Sequence, residues 1–150
     1  MNIDQSMRRR RMAAFTLAKL EHLIAGLGQI APEADYAFLR HPETGLVMVR
    51  GRIGNSGQAF NLGEMLVTRC SIQYSGRLGH GWAPGQAARQ AELAALGDAL
   101  GQIPEHAAAI DQLVSELEAE KSKNEACQRT EVQKTQVHFF TMVRGEDKNG

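Results

Sequence analysis

Hydrophobic residues recur at helical spacing near the start of the chain, with charged residues between them. The apolar positions are Phe15, Leu20, Leu23, Ile24 and Leu27. This period predicts one amphipathic helix over about residues 5–27, ended by Gly26 and Gly28. Its first turns contain Arg8–Arg11, a run that is most often a solvated face. The alternative is contact with an acidic neighbour or with a phosphate-bearing ligand.

From residue 35 to 84 the pattern changes to short alternating segments separated by Gly and Pro, which predicts strands. The run of predicted strands comprises DYAFLRH, LVMVRGRIG, QAFNLGEMLVTRCSIQYS and the short GRLGHGWAPG, with PETG and GNSG as predicted turns. An antiparallel meander is the simplest topology. Arg50 and Arg52 share one strand face, and Arg69 lies in the next strand. If these strands are neighbours, the three arginines could line a common positive strip.

After residue 85 the sequence becomes alanine-rich and predicts a helix with Leu93, Leu96 and Leu100 on one side. Its alanines would allow another backbone to approach closely. Pro104 suits the first turn of a further helix, whose apolar positions end at Leu117. The polar residues 118–136 are then either a solvated helix extension or a mobile crossover arm.

Residues 137–145 read VHFFTMVRG, an apolar stretch directly after this polar segment. As a strand it would place Phe139 and Phe140 on opposite faces, so it needs cover on both sides. We predict that it is buried against another chain through Phe139, Phe140, Met142 and Arg144. The alternative is an intramolecular strand that completes the chain's own sheet. The predicted fold is therefore α+β: a small antiparallel sheet, three helices (one before the sheet and two after) and an apolar C-terminal strand.

Composition narrows the class of protein. The 150 residues fit a single domain, 1–150, that can bury a core without disulfides. Seventeen basic and seventeen acidic residues balance to a formal charge of zero, which argues against a nucleic-acid binder and favours association with other proteins. The two cysteines are interpreted as free thiols in a reducing compartment. Neither a signal-peptide core nor an apolar run long enough for a membrane span is expected.

Candidate chemistry is sparse. The histidines are scattered without a metal-ligand spacing, so no metal site is predicted, and no nucleophile–base signature suggests a catalytic residue. His80 lies between glycines, either in an open site or in a Gly-rich turn that Trp82 anchors to the core. Arg50, Arg52, Arg69 and His80 are possible anion contacts. They leave open a stand-alone small phosphate-ester or nucleotide-binding enzyme.

Several segments in order carry a family resemblance: ETGLVMVRGR, NLGEMLVTRC, AELAALGDAL and FFTMVRG. Together they resemble PhnG, the family of G subunits of carbon–phosphorus lyase, over nearly the whole chain. Two segments depart from the family pattern. Gly85–Gln90 replaces a Gly-Arg-Asp segment that is followed by basic residues, and Gly54–Gly57 replaces a Gly-Gly-Thr-Gly turn. If the first segment touches substrate or a subunit in the family, only Arg89 could replace part of its charge here.

The resemblance implies a bacterial cytoplasmic complex for phosphonate use, with the H, I and J subunits as partners. It implies an accessory role with H, I and the L protein in forming alpha-D-ribose 1-methylphosphonate 5-triphosphate from ATP and methylphosphonate, with release of adenine. ATP is then a substrate of the complex, and no cofactor is expected on this chain alone. The I subunit is the partner expected most directly, together with a second copy of the chain, and neither nucleic acid nor membrane is expected. The resemblance assigns no catalytic residue to this subunit.

Overall fold

A computed structural model describes residues 3–54 and 57–134 of the chain. In chain order its elements are α1 (Ile3–Leu17), α2 (Leu20–Ile30), β1 (Ala37–Arg52), β2 (Ala59–Tyr74), β3 (Arg77–Pro84), α3 (Ala88–Leu100) and α4 (Pro104–Lys134). The α+β class is confirmed. The described part has four helices rather than three, because the predicted first helix is divided in two.

The division between α1 and α2 is set by a tertiary contact. Lys19 adopts an extended conformation, with ψ of 134°, and its carbonyl accepts the first bonds of α2. The last carbonyls of α1 find a substitute partner in buried Gln90, whose amide donates to Phe15 O at 2.5 Å and Ala18 O at 3.1 Å. Helix ends leave carbonyls without intrahelical partners, so this side chain stabilises the bend. The glycines predicted to end the helix lie inside α2.

The sheet is an antiparallel meander in the order β1-β2-β3, as predicted. The predicted turn at PETG is wrong, because β1 runs on through these residues with a register shift between Arg40 and Glu43. The connection from β1 to β2 does lie at GNSG, of which residues 55 and 56 are outside the described part. Ser75 and Gly76, both at positive φ, join β2 to β3 as type I′ turns require.

α3 packs against the sheet at unusually short range. A Cβ on Gly79 would stand 2.0 Å from Ala95 O, and one on Gly81 would stand 1.9 Å from Ala91 O. The alanine-rich face therefore permits the close backbone approach that was predicted. The interpretation of GHGW as a turn anchored by Trp82 is wrong, since these residues alternate within β3 and Trp82 points away from the core at 42% exposure.

The arginines of α1 bind acidic residues of the chain's own helices. Arg8 forms a two-pronged pair with Asp98 of α3, at 2.9 and 2.6 Å. Arg10 does the same with Glu118 of α4, and Arg11 binds Asp111 and the carbonyl of Gly101. The solvated-face interpretation is thus wrong for Arg8 and Arg11, whereas Arg10 is exposed; the alternative of an acidic neighbour is correct for all three.

α4 begins at Pro104, as predicted, and its last buried residue is Leu117. It continues as a helix to Lys134, with every side chain from 121 to 131 exposed, so the polar segment is a solvated helix extension as far as residue 131. Residues 137–145, with Phe139, Phe140, Met142 and Arg144, lie outside the described residues. Within the described ranges no helix is long and apolar enough to cross a membrane.

Candidate functional site

β1 and β2 extend beyond the rest of the fold as a two-stranded arm. β3 stops pairing with β2 at Val67, and all residues from 59 to 66 are exposed. We call residues 46–54 and 57–66 the hairpin arm. Its strands are about 23 Å long at the rise of a β-strand. No helix or third strand of the described part covers the arm. The buried residues of β2, Thr68, Cys70 and Ile72, all lie outside it.

The arm exposes large apolar side chains on both faces. Residues opposite each other in an antiparallel pair share a face, so the register divides the arm. One face, the apolar face, contains Val47, Val49, Gly51, Phe60, Leu62 and Met65. The other, the mixed face, contains Leu46, Met48, Arg50, Arg52, Asn61, Glu64 and Leu66. Exposures reach 61% for Leu62 on the apolar face and 62% for Leu46 on the mixed face, so neither face is packed against the described part of the chain.

At the root of the arm, the apolar face meets a shallow pocket of about 380 Å³. Trp82 and Val67 supply its apolar lining, and Glu43 and Arg69 supply its charged lining. Arg69 donates to Glu43 at 2.6 Å, and Arg40 donates to the same carboxylate at 2.5 Å. Hydrogen bonds from Arg40, and then from Arg69, hold the pKa of Glu43 below its ordinary value. The pocket thus offers an aromatic surface next to two arginines that share one carboxylate, a cluster with a net positive charge.

The structure does not gather the four predicted anion contacts into one place. Arg50 pairs with Asn61 and Arg52 with Ala59 on the mixed face, whereas Arg69 lies on the opposite face with Glu43. Asn61 and Arg69 are eight positions apart in β2, about 26 Å of strand, so a common arginine strip does not form. His80 is near Arg69 but not near Arg50. Contact of any one of these residues with an anion stays a prediction.

His80 and Ser71 form a pair that the sequence analysis missed. They are opposite each other on β3 and β2, and the Ser71 hydroxyl lies 2.9 Å from His80 Nδ1. A catalytic serine–histidine pair also needs an acid that orients the ring and donors for an oxyanion. Within the described residues, the nearby carboxylate of Asp98 binds the backbone N–H of His80 at 3.0 Å rather than its ring. The pair is therefore best explained as a cross-strand hydrogen bond on an exposed face.

The segment that departs from the family pattern has structural roles here. Arg89 pairs with Glu92 at 2.9 Å, and Tyr36 donates a hydrogen bond to the same carboxylate. Burial, and then that bond, raise the pKa of Tyr36. Gln90 holds the end of α1, as described above. No group of His, Cys, Asp and Glu in the described residues is placed to hold a metal ion.

Comparison with known proteins decides the family. The model of the family described as phosphonate metabolism protein PhnG matches residues 6–145. The chain belongs to the PhnG family. A member from Rhizobium meliloti (strain 1021), named alpha-D-ribose 1-methylphosphonate 5-triphosphate synthase subunit PhnG, is 41% identical over 143 residues. That alignment covers 95% of this chain and 92% of the relative, so the PhnG match extends over the hairpin arm, the sheet and the helices alike.

A signal for the arm was present in the sequence. Both strands are apolar on both faces where the arm begins, at residues 46–49 and 65–67, instead of alternating cleanly. Half-buried antiparallel strands usually alternate, so two-sided apolarity indicates cover from both sides. What the sequence did not reveal is that this cover is missing from the chain's own helices.

Proposed function

We propose that this chain is an accessory subunit of the enzyme complex that forms alpha-D-ribose 1-methylphosphonate 5-triphosphate from ATP and methylphosphonate, with release of adenine. It would act in the cytoplasm with the H and I subunits and the L protein, and contribute no catalytic residue. The observation that carries this proposal is the 41% identity, over nearly the full length of both chains, to a relative named as a subunit of that synthase.

The architecture supports a binding role over a catalytic one. The hairpin arm exposes large apolar side chains on both of its faces, as expected of a surface that another protein covers. The basic residues that would hold a phosphate in a stand-alone enzyme are about 26 Å apart along the strand. The alternative of an independent phosphate-ester enzyme therefore has no assembled site to support it among the described residues.

Reconstitution tests the proposal. The H and I subunits and the L protein are purified with and without this chain, and adenine release from ATP is measured with and without methylphosphonate. We expect release only when all components and methylphosphonate are present, and none from this chain alone. Adenine release that is equal without this chain would refute the accessory role. Turnover of ATP by the isolated chain would favour the independent enzyme.

A truncated chain tests the predicted interface at residues 137–145. A chain ending after Gln136 lacks Phe139, Phe140, Met142 and Arg144. If these residues contact a partner, the truncated chain stays folded by circular dichroism but no longer co-elutes with the I subunit. If it unfolds, the apolar segment belongs to the chain's own core and the interface prediction fails.

A further inference from the structure

The hairpin arm is an incomplete structure by itself. A two-stranded ribbon in water is marginally stable, and ribbons usually gain stability from a third strand or from a helix packed on one face. Here the arm has both of its faces exposed, with Leu62 at 61%, Met48 at 58% and Phe60 at 41% exposure. Cover on one side alone would leave several of these side chains in water.

The charges of the arm indicate what kind of surface covers it. Six other arginines of the chain are paired with carboxylates: Arg8, Arg10, Arg11, Arg40, Arg69 and Arg89. Arg50 and Arg52, like Arg77 and Arg129, take part in no ion pair within residues 3–54 and 57–134. Unlike those two, they lie on the mixed face of the arm, where Arg50 is opposite Asn61 and one pair along from Met48 and Glu64, and Arg52 is opposite Ala59. An arginine next to apolar surface becomes costly when that surface is covered, unless the covering surface supplies an acceptor.

We infer that the hairpin arm inserts into a cleft of another, different subunit of the complex, which has apolar walls and carboxylates facing Arg50 and Arg52. The inference rests on the proposed function, because that function supplies the partner subunits. The exposure of both faces favours a cleft over a flat surface, and two arginines without an ion pair among the described residues favour acidic groups at one wall. The shallow pocket beside Trp82 then receives apolar side chains from the rim of the same cleft.

The arm's charge is the first element of the test. The double variant Arg50→Glu/Arg52→Glu is compared with Arg77→Glu/Arg129→Glu, which changes the net charge equally at exposed positions outside the arm. Binding of each purified chain to the H and I subunits is measured by biolayer interferometry over a range of salt concentrations. We expect the arm variant to lose about 100-fold or more in affinity, since like charges at an interface are strongly unfavourable. The control should bind like the wild type.

Salt dependence and apolar contact are tested separately. The neutral variant Arg50→Gln/Arg52→Gln should bind more weakly than wild type at low salt and lose most of the salt dependence of binding. Ile53→Asp, at the exposed end of the arm directly after β1, is compared with Leu39→Asp, at an exposed position of β1 outside the arm. Only Ile53→Asp should weaken binding. Unfolding of each variant by circular dichroism checks that lost binding is not lost folding.

Hydrogen exchange distinguishes the possible occupants of the arm. Backbone amides of residues 46–66 should exchange quickly in the isolated chain and become protected when the H and I subunits are added. Protection already present in a monomer would mean that residues 137–145 cover the arm, and protection present in a dimer would mean that a second copy does. Either result overturns the inference.

The outcomes also separate this inference from the proposed function. If wild type and every arm variant bind the H and I subunits equally, the inference is wrong while the proposed function stands. If the wild type itself does not bind these subunits and does not support adenine release, both are wrong.

Discussion

Replacing Gly81 by alanine tests the short distance between β3 and α3. An added Cβ would stand 1.9 Å from Ala91 O and 2.5 Å from Ala95 N, and both are main-chain atoms of a helix that cannot rotate away. To reach an ordinary contact of 3.4 Å, the helix and the strand must move apart by about 1.5 Å. This displacement loosens the contacts of α3 with the rest of the fold. Ten residues of α3 are buried there, namely 90, 91 and 93–100.

The expected cost follows from overpacking. Extra methylene groups in a packed interior typically destabilise by about 1–3 kcal/mol, and main-chain obstruction places Gly81→Ala near the upper end of this range. For a chain of this size, about 3 kcal/mol corresponds to a decrease in melting temperature of about 6–12 °C. Thermal and urea unfolding of the purified chain, followed by circular dichroism, measures both quantities.

Two further glycines serve as matched comparisons. Gly45 lies in β1 with no atom within 4 Å of the position of a new Cβ, so Gly45→Ala should change stability by less than about 0.5 kcal/mol. Gly26→Ala would meet Leu113 Cδ1 at 2.3 Å, but the end of a leucine side chain can change rotamer, so its cost should be intermediate. If Gly81→Ala were as stable as Gly45→Ala, the close packing of α3 on β3 would be incorrect.

Three more predictions concern charge and thiol chemistry. Asp98→Asn, which removes charge from a side chain only 4% exposed, should destabilise by about 1–3 kcal/mol in urea unfolding, and more than Glu118→Gln does; equal effects would contradict a buried role. Because the pKa of Glu43 is lowered below its ordinary 4.5, its ion pairs stabilise the folded state above pH 4.5, and this stabilisation is lost as the pH falls through the lowered pKa. Glu43→Gln should therefore be less stable than wild type near neutral pH and equally stable in acid, as measured by urea unfolding. Burial raises the pKa of Cys70 to about 11, so a thiol reagent at neutral pH should label exposed Cys127 alone until the chain is denatured, and rapid labelling of both would refute this.

Elements with a strong local signal were predictable. The alanine-rich helix, the start of α4 at Pro104 and the meander follow from period and turn chemistry, which act within a few residues. The misses have non-local causes. PETG has turn-forming residues, yet β1 passes through it because pairing with β2 holds it extended. The first helix is divided because Gln90, distant in sequence, binds its last carbonyls.

The candidate site was predictable only in part. Strand alternation placed Arg50 and Arg52 together, and the structure agrees. The distance of Arg50 and Arg52 from Arg69 depends on the register between β1 and β2, which a strand's own residues specify weakly. The sequence therefore could not decide whether the three arginines line one strip. The Ser71–His80 pair likewise requires the pairing of β2 with β3.

By itself, the sequence determined the class of fold, the family and the presence of apolar segments that need cover, because composition and periodicity act locally and the family segments recur in order. Only the tertiary structure decided which of those segments the chain covers itself. α3 covers the helix side of the sheet because Gly79, Gly81 and the alanines let two backbones meet. The same helix begins beside Thr68 at the root of the hairpin arm and runs away from it, so within the described residues the arm's apolar side chains stay exposed despite a pattern typical of buried strands.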